Sequence, residues 1–132
     1  MNIVVDTSVV LAVIANEPHK QQIIAITTGA TLISSPSLPW EIGNAFSSMF
    51  KRGRVTLEQA RDAIDTYRLI PIRLTEIDLK HALEVSKQLN IYAYEAFMIC
   101  CAQMHQCPFV SLDNGLLSAA NEAGVRTLEV ER

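Results

Sequence analysis

Short apolar runs and helical repeats alternate along the chain, and that alternation predicts most of its elements. The β-branched run Asn2 to Asp6 (NIVVD) reads as a strand, as do Thr31 to Ser34, Ile70 to Arg73, Phe109 to Leu112 and Val125 to Leu128. Between them, apolar positions recur at helical spacing over Ser8 to Ala15, Pro18 to Thr28, Leu38 to Lys51, Leu57 to Tyr67, Ile77 to Leu89, Tyr94 to His105 and Gly115 to Ala123. No pair of strands is joined by a tight hairpin turn. Strands separated by helices cannot return antiparallel through two residues, so the pattern predicts an α/β fold: a central, mainly parallel five-stranded sheet with helices on both faces, a three-layer α/β/α arrangement.

Open parallel sheets place their sites outside the carboxyl ends of their strands. Asp6 ends the first strand and Asp113 follows FVSL, each where an apolar run gives way to a helix, with Ser8 and Ser111 two residues away. Helix N-capping explains either aspartate taken alone. In SLPWEIGNAFSSMF, Leu38, Ile42, Ala45 and Met49 share one helical face, while Glu41, Asn44 and Ser48 share another. That polar stripe suits a functional acid or a solvated surface equally well. Glu95 is the single charge in the stretch Ile91 to Met104 (IYAYEAFMICCAQM), whose composition predicts a helix buried all round. A carboxylate there costs several kcal/mol unless a cation or strong donors compensate it, or unless the first turn lets it reach water. Apolar Trp40, Phe46 and Phe50 are expected in the core.

Composition narrows the choices. At 132 residues and 49% hydrophobic content the chain supports one domain, residues 1–132, with a continuous core. It shows neither a membrane-length apolar run nor the pattern of a signal peptide, which leads to the expectation of a cytoplasmic protein without membrane contact. The three cysteines form no disulfide framework; Cys100 and Cys101 read as small buried hydrophobes, and their spacing from His105 and Cys107 fits no common zinc pattern. His19, His81 and His105 are dispersed and read as surface or helix residues. A net charge of −3 gives no bulk attraction to nucleic acid, so any such binding must be local. Six of eleven basic residues do cluster between positions 51 and 73, beginning with Lys51, Arg52 and Arg54. These are candidate phosphate contacts, although Glu58, Asp62 and Asp65 interleave there and would also make an ordinary ion-paired helix.

One metal site explains the four acids together better than separate caps do, because neighbouring carboxylates raise one another's pKa and Mg2+ or Mn2+ removes that cost through oxygen ligands. The segments VVDTSVVLAVI, PWEIGNAF, YEAFMICCA and FVSLDNGL occur in the order in which PIN domains carry similar ones. The chain resembles that family over nearly its full length, and within it the VapC-like toxin ribonucleases of toxin–antitoxin pairs. The resemblance implies a metal-binding, catalytic quartet of Asp6, Glu41, Glu95 and Asp113, with Ser8, Asn44 and Ser111 as auxiliary polar groups. It implies an RNA substrate, an antitoxin partner and a homodimer. The chain departs from the family's usual pattern at Glu95, where Asp commonly precedes Ala, and in having Asn114 and Gly115 where some relatives carry a further aspartate. Glu95 therefore keeps alive a second reading, a catalytically weakened PIN domain that binds RNA or a protein. A third, another hydrolase or phospho-acceptor on a doubly wound sheet, would want Asp where Ser8 stands.

Overall fold

The computed structural model describes residues 1–131. In chain order the elements are β1 (Asn2–Val5), α1 (Thr7–Ile14), α2 (Lys20–Thr27), β2 (Thr31–Ser34), α3 (Leu38–Lys51), α4 (Leu57–Leu69), β3 (Ile72–Leu74), α5 (Leu79–Leu89), α6 (Ala93–His105), β4 (Phe109–Val110), α7 (Asn114–Glu122) and β5 (Thr127–Leu128). The sheet has the order β3-β2-β1-β4-β5 and every pairing is parallel, as the alternation of elements predicted.

Strand order assigns the helices to faces. The crossovers β1 to β2 and β2 to β3 step toward one edge, and those from β3 to β4 and β4 to β5 step the other way. With right-handed connections, α1 to α4 fall on one face and α5 to α7 on the other. The packing agrees: α1 touches α2, α3 and α4, whereas α6 packs on α5 and on β1 and β2. The central strand is covered from both sides, with Ile3, Val4 and Val5 at most 1% exposed, and its run is accordingly apolar without alternation. The direction of winding reverses between β1 and β4, which opens the crevice there. Val5 is level with Val110, so the residues just beyond, Asp6 and Ser111, meet at the mouth of that crevice.

Several boundaries differ from the sequence expectation for local reasons. β3 begins at Ile72 instead of Ile70, because Ile70 caps α4 and Pro71 has no N–H to offer a ladder. β4 and β5 are two residues each, shorter than the apolar runs that contain them. The α6 helix is not buried all round: Ala96 and Met98 to Ala102 are buried, but Tyr94 and Met104 are 55% and 53% exposed. Of the three aromatics expected in the core, only Phe46 lies there, while Phe50 is partly exposed and Trp40 is 74% exposed. Helical phase accounts for Trp40, which stands about 200° around the axis from Leu38 and Ile42, the positions that α3 buries. Among the described residues no helix is long and apolar enough to cross a membrane.

Candidate active site

Asp6 serves as the N-cap of α1: its Oδ1 accepts from the Val9 N–H at 3.1 Å and from Ser8 Oγ at 2.7 Å. The cap reading thus holds for this residue. Its other oxygen, Oδ2, accepts from Ser111 Oγ at 2.6 Å, across 105 positions of sequence. Only 4% of Asp6 is exposed, and burial pushes its carboxyl above the usual aspartate range. The Ser111, Ser8 and Val9 donors oppose that rise, and the negative charge of Asp113 adds to it.

The two serines knit the ends of β1 and β4 together. Ser8 Oγ accepts from the Leu112 N–H at 2.9 Å, and Ser111 Oγ accepts from the Asp113 N–H at 3.0 Å. Asp113 itself is exposed and caps α7, its Oδ1 accepting from the Leu116 N–H at 3.1 Å. A Cβ at position 115 would stand 3.3 Å from that oxygen, so Gly115 leaves the carboxylate room.

Glu41 projects from the first turn of α3 and is half-buried. Thr7, at the start of α1, donates to its Oε1 at 3.1 Å, and Ser37 donates to its Oε2 at 2.6 Å. Burial again raises the carboxyl above its ordinary range, with the charge of Asp6 contributing, and the two hydroxyls counteract it. Every oxygen of Asp6 and Glu41 is therefore occupied by a hydroxyl or N–H donor, and the mutual repulsion of Asp6 with Asp113 and with Glu41 ties the three acids into one electrostatic unit. Thr7 and Ser37 escaped the sequence reading. Ser37 was detectable as the i−4 neighbour of Glu41 on the same helical face, whereas nothing local marks Thr7.

The remaining candidates stand outside this network. Glu95, in the first turn of α6, is half-buried and makes no hydrogen bond or ion pair among the described residues. Its charge costs correspondingly less than in a fully buried helix, since this helix end reaches solvent. Asn44 is exposed and makes no side-chain hydrogen bond among the described residues. Lys51, Arg52 and Arg54 are exposed at the far end of α3, about 15 Å along the axis from Glu41 at 1.5 Å per residue. The ion pairs that would lace α4 are absent: among the described residues the one contact of salt-bridge length joins His81 to Glu84 at 3.7 Å, an ion pair only when the imidazole is protonated. Arg54 lines a cleft of about 550 Å³ between α1, α3 and α4 that contains none of the four acids. The cysteines are free, and burial raises all three thiols above their ordinary range, Cys100 to about 11, which leaves them inert at neutral pH.

In kind, the donors of Asp6, Glu41 and Asp113 fit a hard divalent cation: they are all oxygen, and they destabilise one another's charge, which a cation reverses. Among the described residues, no three His, Cys, Asp or Glu side chains close on a common point as they stand.

Known proteins share this architecture. The structure of PAE2754 from Pyrobaculum aerophilum is similar with a TM-score of 0.73 at 21% identity, covering 96% of this chain and 83% of that one. VapBC2 from Rickettsia felis, solved bound to a DNA fragment from its promoter, gives 0.72 at 13% identity, covering 99% and 100%. VapC20 of Mycobacterium tuberculosis, described as a sarcin-ricin loop cleaving toxin, gives 0.62 at 13% identity, covering 89% and 94%. No curated protein sequence matches the chain. At these identities the likeness concerns the fold alone, but the sequence model of the PIN domain matches residues 3–122, nearly the whole length. With that match, the parallel sheet and the acids at its strand ends, this chain belongs to the PIN domain family.

Proposed function

We propose that this protein is a metal-dependent endoribonuclease, the toxin of a toxin–antitoxin pair, cleaving RNA phosphodiester bonds with Mg2+ or Mn2+ held by Asp6, Glu41, Glu95 and Asp113. The observation that carries the reading is the pairing of Asp6 and Glu41, two carboxyls pushed upward by burial and by charge at the crevice where the sheet reverses its winding. A bound divalent ion would supply an activated water and charge stabilisation at the phosphate. The protein's part is to keep the ligands oriented: Ser8 and Ser111 fix Asp6, Thr7 and Ser37 fix Glu41, and Glu95 contributes a carboxylate committed to no other group among the described residues. Lys51, Arg52 and Arg54 would hold the RNA backbone; their exposure, and the absence of ion pairs to them among the described residues, leaves their charge available. An antitoxin and a second copy of the chain complete the proposal. Family membership, the Rickettsia felis and Mycobacterium tuberculosis neighbours and the exposed Trp40 directly before Glu41 support it.

The alternative, a weakened domain that binds RNA or protein without cutting it, draws on Glu95, which keeps the charge of the family's usual aspartate on a longer side chain outside the hydrogen-bonded network. One comparison separates them. The native chain is expected to cleave RNA with Mg2+ or Mn2+ and to lose that activity in EDTA. Asp6→Asn should abolish cleavage while the chain stays folded, since Asn accepts from Val9 and Ser8 and the Ser111 hydroxyl can turn to accept in its place. Cleavage undiminished in EDTA or in the variant would overturn the metal mechanism; RNA binding without cleavage would establish the alternative.

A further inference from the structure

Ser37 stands directly before α3 in a helical backbone conformation (φ −75°, ψ −12°), and its side chain makes no capping bond to the first N–H groups of the helix. Its hydroxyl donates to Glu41 Oε2 at 2.6 Å, a length typical of a charge-assisted O–H···O contact. Behind it stands Ser35, just beyond β2, whose Oγ lies 2.8 Å from Ser37 Oγ and accepts from the Ser37 N–H at 3.2 Å. Both serines are buried, at 1% and 8% exposure, which limits the competition of water for these bonds. Glu41 is thereby spanned between two neighbouring strand ends, β2 through Ser37 and β1 through Thr7.

We infer that Ser37, backed by Ser35, is a positioning residue for Glu41: its hydroxyl makes no bond to the helix and holds one carboxylate oxygen, so that Glu41 meets a divalent cation in a fixed orientation. This rests on the metal reading proposed above. A merely structural serine would stabilise the helix; a positioning serine also sets how well the ready-folded site takes up metal. Partners that orient a metal ligand in this way typically contribute 10- to 100-fold in affinity or activity.

The test is calorimetric titration of Mn2+ into the native chain and into Ser37→Ala, Ser37→Thr and Glu41→Gln, each checked for folding by thermal melting. We expect Ser37→Ala to weaken Mn2+ binding by about tenfold or more while remaining folded. Ser37→Thr, which keeps the hydroxyl, should retain affinity close to native. Binding by Ser37→Ala equal to native, or a loss in Ser37→Thr as large as in Ser37→Ala, would overturn the positioning role and leave the metal site standing. Should Ser37→Ala fail to fold, Ser35→Ala carries the same comparison, with a smaller loss expected because it acts one hydroxyl further from Glu41. A native chain that takes up no Mn2+, or takes it up as well in Glu41→Gln, would overturn the metal reading itself and the positioning role with it.

Discussion

Replacing Ser111 with alanine probes the joint between the two central strand ends. The hydroxyl donates to Asp6 Oδ2 at 2.6 Å and accepts from the Asp113 N–H at 3.0 Å, and the residue is 1% exposed. A hydrogen bond to a charged group contributes roughly 1.5–3 kcal/mol, and a stranded backbone N–H adds about 1 kcal/mol, less where water can reach it as it can beside exposed Asp113. The expected loss at pH 7 is therefore about 3 kcal/mol, or about 12 °C in melting temperature for a domain of this size. The pH dependence has a definite sign. Asp6 titrates above its ordinary value of 3.8 in the folded protein, so the folded state holds the proton more tightly than the unfolded chain. Stability then falls as pH rises from the unfolded value through the folded one. Ser111 lowers the Asp6 carboxyl, so its removal extends that window upward and deepens the loss at neutral pH. In acid below its ordinary value of 3.8, where Asp6 holds its proton in the folded state, the native chain and Ser111→Ala should differ by only about 1 kcal/mol, the contribution of a neutral hydrogen bond. Urea denaturation at the two pH values measures both numbers, with Ser118→Ala on the exposed side of α7 as control. A loss independent of pH, or no larger than that of the control, would refute the account of Asp6 as a buried, donor-stabilised carboxylate.

Joint replacement of Lys51, Arg52 and Arg54 by alanine should weaken RNA binding regardless of sequence. If each meets one phosphate, the slope of log affinity against log salt falls by about 2, which filter binding across a salt series would read; an unchanged slope removes these residues from the interface. Glu95→Asp restores the family's usual side chain and should preserve or raise ribonuclease activity. A complete loss would show that the rest of the site is adapted to the longer carboxylate.

Local structure was written in the local pattern of side chains. The amphipathic repeat of α3 delimited Leu38–Lys51 to the residue, and the uninterrupted apolar run of β1 announced a strand covered on both faces. The change from strand to helix likewise puts Asp6 and Asp113 at strand ends from local pattern alone. Periodicity reports only which way a side chain faces within its own element. It was silent on strand order, and therefore on the reversal between β1 and β4 that brings Ser111 to Asp6 across 105 positions. The same blindness explains Glu95: an apolar composition implied a helix buried throughout, but burial depends on what packs over each turn, and Tyr94 and Met104 stay more than half exposed. Trp40 is the converse case, apolar by composition yet turned outward by the helical phase that α3 adopts once Ile42 and Phe46 face the core. The sequence by itself thus determined the element types, the parallel class of the sheet and the placing of Asp6 and Asp113 at strand ends. Tertiary structure alone decided that Ser111 reaches Asp6, that Thr7 reaches Glu41 and which carboxyls burial perturbs, because those contacts and that desolvation join residues 105 and 34 positions apart in the chain.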